Sequence, residues 1–327
     1  VHDLFADDAA ITTHTQEDLQ RLLDHFSDAC RHFGLTISLA KTQVMGQDIK
    51  EIPSLFIHNY KLEVVHEFVC LGSTITDNLS IDSELNKRIG KVTMTFSRLT
   101  KLVWSNNKLS DHTKVNVYKA CVISTLLYGS ESWTMHAHQE KRLNVFHMRC
   151  LRRILGITWQ DKVTNKVVLE KAGIPSLYTL LKQRRMRWLG HVTRMKDGRI
   201  PKDLLYGELA TGKRPTGRPQ LRFKDVCKRD LQALGINTDS WEVTATDRDA
   251  WRHTVKVGLS QYEETQRLKA EEKRLHKKTV CLASRPTTAF TCSKCDRDCH
   301  SRIGLHSHNR RCKMGANLWS FETDRCQ

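Results

Sequence analysis

The stretch FTCSKCDRDCHSRIGLHSHNRRC, residues 290–312 of a 327-residue chain, constrains local structure more tightly than any other part of the sequence. It spaces Cys292, two residues, Cys295, twelve residues, His308, three residues and Cys312. Two thiolates so spaced fit the turn of a hairpin, and a His and a Cys four apart share one helix face, so the four donors can close a tetrahedron around Zn²⁺. Apolar positions agree: Phe290 lies two before the first Cys and Leu305 three before His308, although Cys299 stands where an aromatic is usual. A ββα unit this small has little core, so zinc binding and folding are expected to be one event, worth on the order of 10 kcal/mol. The bland alternative is a basic, Cys-rich tail without metal. His300, His306, Cys299 and Cys326 are spare donors outside the expected ligand set.

Such a finger usually reads bases from three helix positions, here occupied by Ser301, Gly304 and Ser307, none of which makes a bidentate base contact. Arg302, Arg310, Arg311 and Lys313 can still pair with phosphates, which predicts a nonspecific nucleic-acid clamp, with a protein contact as the competing use. Charge points the same way. Lys and Arg number 53 against 36 Asp and Glu, a net +17, which favours a polyanionic partner. Of 11 Cys, four crowd into 292–312, which reads as metal binding in a reducing compartment. No apolar run of about 18 residues exists, so no membrane span is expected. No leader sequence is legible, and Val1 is not a natural translation start, so a fragment or an incomplete gene model is expected.

Along the chain, Val1 to Phe5 and Ala9 to Thr13 read as short strands flanking Asp7 and Asp8. Leu19, Leu22, Leu23, Phe26, Cys30 and Phe33 recur at helical spacing, with Gly34 as the stop. LTISLAKTQVM reads as a strand ending near Lys41, and further strands are expected over 54–57, 61–65 and 68–76. From Asp82 the chain turns helical. Leu85, Ile89, Val92, Phe96, Leu99 and Val103 fall on one face, and Lys87, Lys91, Arg98 and Lys101 form a basic stripe on the other. That stripe fits a duplex backbone or is simply a solvated face. Helices follow at about 111–128, 140–155 and through YTLLKQRRMRWLGHV.

Between Lys182 and Arg229 stand 15 Lys or Arg and 4 Asp or Glu, which concentrates the positive field there. Arg184, Arg185, Arg187, Arg214, Arg218 and Arg222 are its candidate nucleic-acid contacts, with Trp188, Tyr206 and Phe223 as stacking candidates, Trp188 equally a core residue. GKRPTGRPQLRF reads as an extended loop, its TGRPQ a weak match to a minor-groove hook.

Taken alone, FADD describes a capped hairpin turn as well as a metal site. In context, apolar strand, aromatic, Ala, Asp, Asp, strand resembles the reverse-transcriptase palm. The later segments GLTISLAKTQVM, FVCLGSTIT, STLLYGSESWTM, VFHMRCLRRILGITWQDKVTN and RRMRWLGHVTRM resemble the C-terminal portion of non-LTR (LINE-type) retrotransposon reverse transcriptases. The resemblance implies that Asp7 and Asp8 hold Mg²⁺, that Lys41 lies near the departing pyrophosphate, and that Leu71 and Gly72 form the primer-grip turn. Ser38 departs from the Asn often found in the Lys motif.

The expected fold is α+β: a partial palm over 1–80, a helical thumb over 81–160, a basic helical nucleic-acid-binding region over 161–260, a charged helix or linker over 261–287, a zinc finger over 288–315 and a tail over 316–327. The implied function is RNA-directed DNA polymerization, with these residues inactive alone because an upstream palm Asp and the fingers are missing. RNA and DNA are the implied partners, with the missing N-terminal part of the polyprotein as another. A ribonucleoprotein of nucleus and cytoplasm, not secreted, is the implied location. A non-enzymatic zinc-finger nucleic-acid-binding remnant and a functionless relic are the alternatives.

Overall fold

The computed structural model describes residues 2–5, 7–47, 49, 51–207, 221–283, 290–299, 301–310 and 312. They form a mixed α/β protein in which helices dominate, arranged in two compact units, Val1–Glu263 and Glu264–Gln327.

The first unit opens with a hairpin of β1 (His2–Phe5) and β2 (Asp8–Ile11), whose register pairs Phe5 with Asp8 and His2 with Ile11. Helix α1 (Gln16–His32) starts where the Thr15 hydroxyl accepts the Asp18 N–H at 3.2 Å. It stops at Gly34, whose φ of 69° needs no Cβ, while Leu35 N–H reaches Cys30 O at 2.8 Å. Beyond it the strand expected through Lys41 does not form. Leu35–Ala40 has no ladder partner among the described residues, and only β3 (Gln43–Val44) is paired, in parallel with β6 (Glu63–Val64). The alternation there reflects Ile37 and Leu39 leaning on a small core instead of a hydrogen-bonded neighbour.

That core holds Leu23, Val44, Leu55, Ile57 and Leu62. Two glutamines join α1 to it as backbone mimics. Gln20 Nε2 donates to Phe56 O at 2.8 Å and its Oε1 accepts Phe56 N–H at 2.9 Å, beside the hairpin of β4 (Phe56–Ile57) and β5 (Tyr60–Lys61). Gln16 does the same for Ser54. The segment expected as a strand over 68–76 is instead a hairpin, β7 (Glu67–Cys70) with β8 (Ser73–Thr76). Its turn residues Leu71 and Gly72 have φ of 48° and 80°, the doubly positive geometry whose twist matches the strands.

Helix α2 (Asp82–Arg98) buries Leu85, Val92 and Phe96 and continues into a π-helical turn, Thr100–Trp104. The turn brings Trp104 against Phe96, ring centroids 4.9 Å apart, where its Nε1–H donates to Phe96 O at 2.7 Å. Helix α3 (Asp111–Val117), a π segment (Tyr118–Ile123) and α4 (Ser124–Leu126) follow without a break. They pack with α5 (Ala137–Ile154), α6 (Asn165–Ala172) and the start of α7 (Leu177–Thr193) into the largest core, which extends to Leu181.

The rest of α7 enters a further core. Met186, Leu189 and Val192 pack there with α8 (Ile200–Tyr206), α9 (Phe223–Ala233), α10 (Trp241–Thr246) and the part of α11 (Arg248–Ala283) up to Leu259. Gly190 is required at the contact: a Cβ there would lie 2.2 Å from Trp251 Nε1, which donates to Met186 O at 2.9 Å. The loop expected at GKRPTGRPQLRF falls mostly outside the described residues.

In the second unit, β9 (Phe290–Thr291) pairs antiparallel with β10 (Asp298–Cys299) and is followed by α12 (Arg302–Asn309). No helix among the described residues is long and apolar enough to cross a membrane.

Candidate metal centre and nucleic-acid interface

Cys292 and Cys295 flank the turn after β9, and His308 and Cys312 follow one another on and just after α12, so hairpin and helix converge on one point. The donor atoms of all four lie within 4.8 Å of one another. Cys292 Sγ is 3.8 Å from Cys312 Sγ, and Cys295 Sγ is 3.1 Å from His308 Nε2. A tetrahedron with Zn–S near 2.3 Å has S···S edges of about 3.8 Å, so the first distance already suits zinc. The Lys294 N–H donates to Cys292 Sγ at 3.4 Å and holds that thiol below its ordinary value, while the neighbouring Cys295 thiol pushes Cys312 up to about 11. Crowded sulfurs resist collective ionisation, and a divalent cation among them removes that resistance. The cluster can hold a metal such as zinc. Among the described residues it is also the one group of three or more His, Cys, Asp or Glu so arranged.

The N-cap of α12 is Ser301, whose hydroxyl accepts Gly304 N–H at 3.0 Å. One of the three positions that would face bases is therefore occupied in holding the helix. Arg302 and Arg310 are exposed, and Arg311 and Lys313 lie outside the described residues.

In the first unit Asp7 stands in the β1–β2 turn and Asp8 begins β2, both exposed. Lys41 is exposed in a turn closed by its N–H to Ser38 O at 3.0 Å. No hydrogen bond or ion pair joins it to either aspartate among the described residues. Two adjacent carboxylates alone do not fit a two-ion Mg²⁺ site, which takes carboxylates from two strands.

Of the basic stripe on α2, Lys91 and Arg98 are exposed, as is Lys101 in the turn beyond it. Lys87 is engaged instead: its Nζ lies 2.5 Å from Glu67 Oε1, and this contact, with the Ser83 hydroxyl, draws the Glu67 carboxyl below its usual range.

Helix α7 corrects the sequence expectation most sharply. Arg185 is not a phosphate contact. It is 1% exposed, with Nε 2.6 Å from Asp230 Oδ2 and Nη2 3.0 Å from Glu140 Oε1, and Lys182 Nζ shares Asp230. Burial opposes its charge, but Asp230 and then Glu140 outweigh burial and keep the guanidinium above its ordinary value. The signal was present in the sequence, since Arg185 is four residues from both Leu181 and Leu189 and shares their face. Arg184 is half-buried, its Nη1 3.0 Å from both Leu127 O and Glu131 Oε1. Arg187 is exposed. Arg222 is exposed at the start of α9, its Nε 3.5 Å from Asp225 Oδ2. Arg214 and Arg218 lie outside the described residues. Trp188, Tyr206 and Phe223 pack on the margin of the α7–α11 core, so they are not open stacking faces.

Sequence reasoning missed what holds the Leu71–Gly72 turn. Buried Arg88 donates from Nη2 to Gly72 O at 2.8 Å and from Nε to Glu84 Oε1 at 2.7 Å. Glu84 Oε2 accepts Thr74 N–H at 2.8 Å, and Tyr128 Oη donates to Leu71 O at 3.1 Å, its ring 4.8 Å beneath the guanidinium. The available sign was a charged i,i+4 pair whose Arg falls between Leu85 and Val92 on the buried side of α2.

No family model matches the chain, and no solved structure matches it. It is 25% identical over 265 residues to a transposon-derived protein of Caenorhabditis elegans, a match covering 77% of this chain and 94% of that protein. It is 27% identical over 168 residues to the RNA-directed DNA polymerase from mobile element jockey of Drosophila funebris, and 23% over 164 to that of Drosophila melanogaster. Each of these matches covers 47% of this chain but 18% of the polymerase. The chain is thus similar to a transposon-derived protein over most of its length and to a small part of mobile-element polymerases over nearly half of it.

Proposed function

We propose that the chain is the C-terminal portion of a retrotransposon RNA-directed DNA polymerase, binding RNA or DNA through its basic helical surface and a zinc-bound finger, and that these residues alone do not extend a primer. The 168-residue similarity to the jockey polymerase carries the reading. In it, the hairpin bearing Asp7 and Asp8 and the turn bearing Lys41 belong to the end of a palm over 1–80. The region over 81–160 is a thumb, 161–260 a basic nucleic-acid-binding region, 261–287 a linker, 288–315 the finger and 316–327 a tail. Cys292, Cys295, His308 and Cys312 would hold zinc, and four protein ligands leave it a structural role, supplying folding energy to the finger. Element RNA and target DNA are the partners, in a ribonucleoprotein of nucleus and cytoplasm.

The test is twofold. Primer extension by this chain with Mg²⁺ is expected to fail, and extension abolished by Asp7→Ala refutes the inactivity. Affinity for single strands, RNA hairpins and duplexes is expected to fall steeply with salt, because neutralised phosphates release counterions. Affinity that ignores salt refutes the binding mode. The match to 94% of the worm protein favours a second reading, a stand-alone, non-enzymatic nucleic-acid-binding remnant. An in-frame palm sequence upstream in the transcript counts against it.

A further inference from the structure

The outward face of α5 carries a cationic track that none of the residues considered so far belongs to. Lys141, Arg142, Arg149 and Arg153 are exposed on it, all within an arc of about 120° at 100° per residue. The helix's one carboxylate, Glu140, points the other way, to buried Arg185. From Lys141 to Arg153 the track rises about 18 Å at 1.5 Å per residue. Alongside it, α2 and α5 enclose an open groove of about 460 Å³ with Ile89, Thr93 and Phe146 among its lining and Lys141, Arg142 and Arg149 at its edge. None of the groove's lining residues is acidic. Asp82, a carboxylate on α2 that feels the charge of Arg142, is held by Gln139 Nε2 at 2.9 Å and by the Ser80 hydroxyl at 3.0 Å.

Where α5 ends, the chain presents an aromatic ring. Trp159 is 84% exposed, yet its loop is fixed: Asp161 Oδ2 accepts Thr158 N–H at 2.6 Å and the Thr158 hydroxyl at 2.9 Å. Arg152 Nη2 ties the loop's far end back to α5, donating to Val163 O at 2.8 Å and Asn165 Oδ1 at 2.9 Å. An indole held so in water has no internal packing partner to explain it. A stacking face in the loop that follows a cationic helix face suits unpaired bases on a phosphodiester backbone.

We propose that the α2–α5 groove binds a single-stranded nucleic acid, with Lys141, Arg142 and Arg149 on successive phosphates and Trp159 stacked on a base. The inference rests on the nucleic-acid-binding reading above and assigns it a site. Arg142 Nη2 already donates to Asn86 Oδ1 on α2, so it is held at the groove's edge, while Lys141 and Arg149 have no ion-pair partner among the described residues. Such a row fits a polyanion, and the single strand is favoured over a duplex because only unpaired bases offer a face to Trp159.

The probe is a fluorescein-labelled 15-nucleotide oligo-dT, titrated by the full chain across a salt series. Replacing Lys141, Arg142 and Arg149 together by Gln removes three phosphate contacts. This is expected to lower the slope of log affinity against log salt by about 2 and affinity at 0.1 M salt roughly 100-fold. The variant Lys141→Arg/Arg142→Lys/Arg149→Lys keeps the charge and is expected to keep the slope, which separates lost contacts from lost fold. Trp159→Ala is expected to weaken oligo-dT binding tenfold or more while leaving both the salt slope and binding to a 15-base-pair duplex unchanged. An unchanged slope in the Gln variant, with wild-type binding intact, overturns the groove assignment and leaves the broader reading standing. Wild-type chain that binds no nucleic acid at low salt overturns both. Poly-glutamate of equal charge displacing oligo-dT at equal concentration overturns the nucleic-acid occupant and points to an acidic protein segment.

Discussion

Asp230→Ala is the sharpest test of how the first unit is held together. Asp230 is 2% exposed and accepts from two cations, Lys182 through Oδ1 and Arg185 through Oδ2, so it joins α9 to α7 at the centre of the unit. Removing it leaves Lys182 and Arg185 buried with Glu140 alone, which touches Arg185 at 3.0 Å and does not pair with Lys182. Breaking a buried ion pair from one side costs about 3–5 kcal/mol, because the orphaned charge stays desolvated. The cavity left by a carboxylate adds less than about 1 kcal/mol. At about 2–4 °C per kcal/mol for a unit of this size, the helical melt should fall by roughly 6–24 °C. Thermal and urea unfolding followed at 222 nm measures it. Replacing the three together, Asp230→Leu with Lys182→Met and Arg185→Met, should recover most of the loss, since no charge then remains to be desolvated. A melt within about 2 °C of wild type for Asp230→Ala refutes the reasoning, because it means the two cations are hydrated and the ion pairs do not exist in solution.

The remaining predictions concern other sites. His147 is fully buried on α5 beside the Tyr118 hydroxyl, 2.9 Å from Nδ1, and burial pushes it down to about 4, against a weaker opposing pull from Pro175. Its neutral form is the folded form, so its contribution is complete above the unfolded value near 6.5 and is lost as pH falls through 4, about 3 kcal/mol in all. Urea unfolding from pH 7 to 4 should show that slope, and His147→Gln should flatten it. Gly190→Ala should destabilise the α7–α11 core by about 1–3 kcal/mol, because the new methyl meets Trp251 at 2.2 Å, and its Trp251 fluorescence should shift. Chelation of the metal-loaded protein should unfold residues 290–312 while the helical signal of the first unit persists, and Cys295→Ser should prevent loading. A melt of the first unit that moves with chelator contradicts it.

The local elements were legible in the sequence because they depend on short-range chemistry. The apolar series from Leu19 to Phe33 and the stop at Gly34 define α1, the series from Leu85 to Val103 defines α2 and its continuation, and the spacing from Cys292 to Cys312 brings four donors within 4.8 Å. Strands were less legible. A strand exists only with a partner, and nothing in LTISLAKTQVM tells whether one will be there; Leu35–Ala40 alternates correctly and pairs with nothing.

Charge was the least legible property, and the reason is geometric. Composition alone determined that this chain is strongly basic and that its cations concentrate over 182–229. It could not say which cations reach solvent. Arg185 belongs to the richest basic run yet is spent inside on Asp230 and Glu140, Arg88 is spent on a turn 16 residues away in sequence, and Lys87 is paired with Glu67. Meanwhile Lys141 and Arg149, outside that run, face outward beside the α2–α5 groove, with Arg142 held at its edge by Asn86 Oδ1. A carboxylate cancels a cation only when folding brings the two within a few ångströms; Glu84 stands four residues from Arg88, but Asp230 and Glu140 stand 45 from Arg185 and Glu67 stands 20 from Lys87. The sequence by itself therefore determined how much positive charge the protein carries and which four side chains can gather a metal. Only the tertiary structure decided which cations are consumed in holding the fold and which remain to meet a partner.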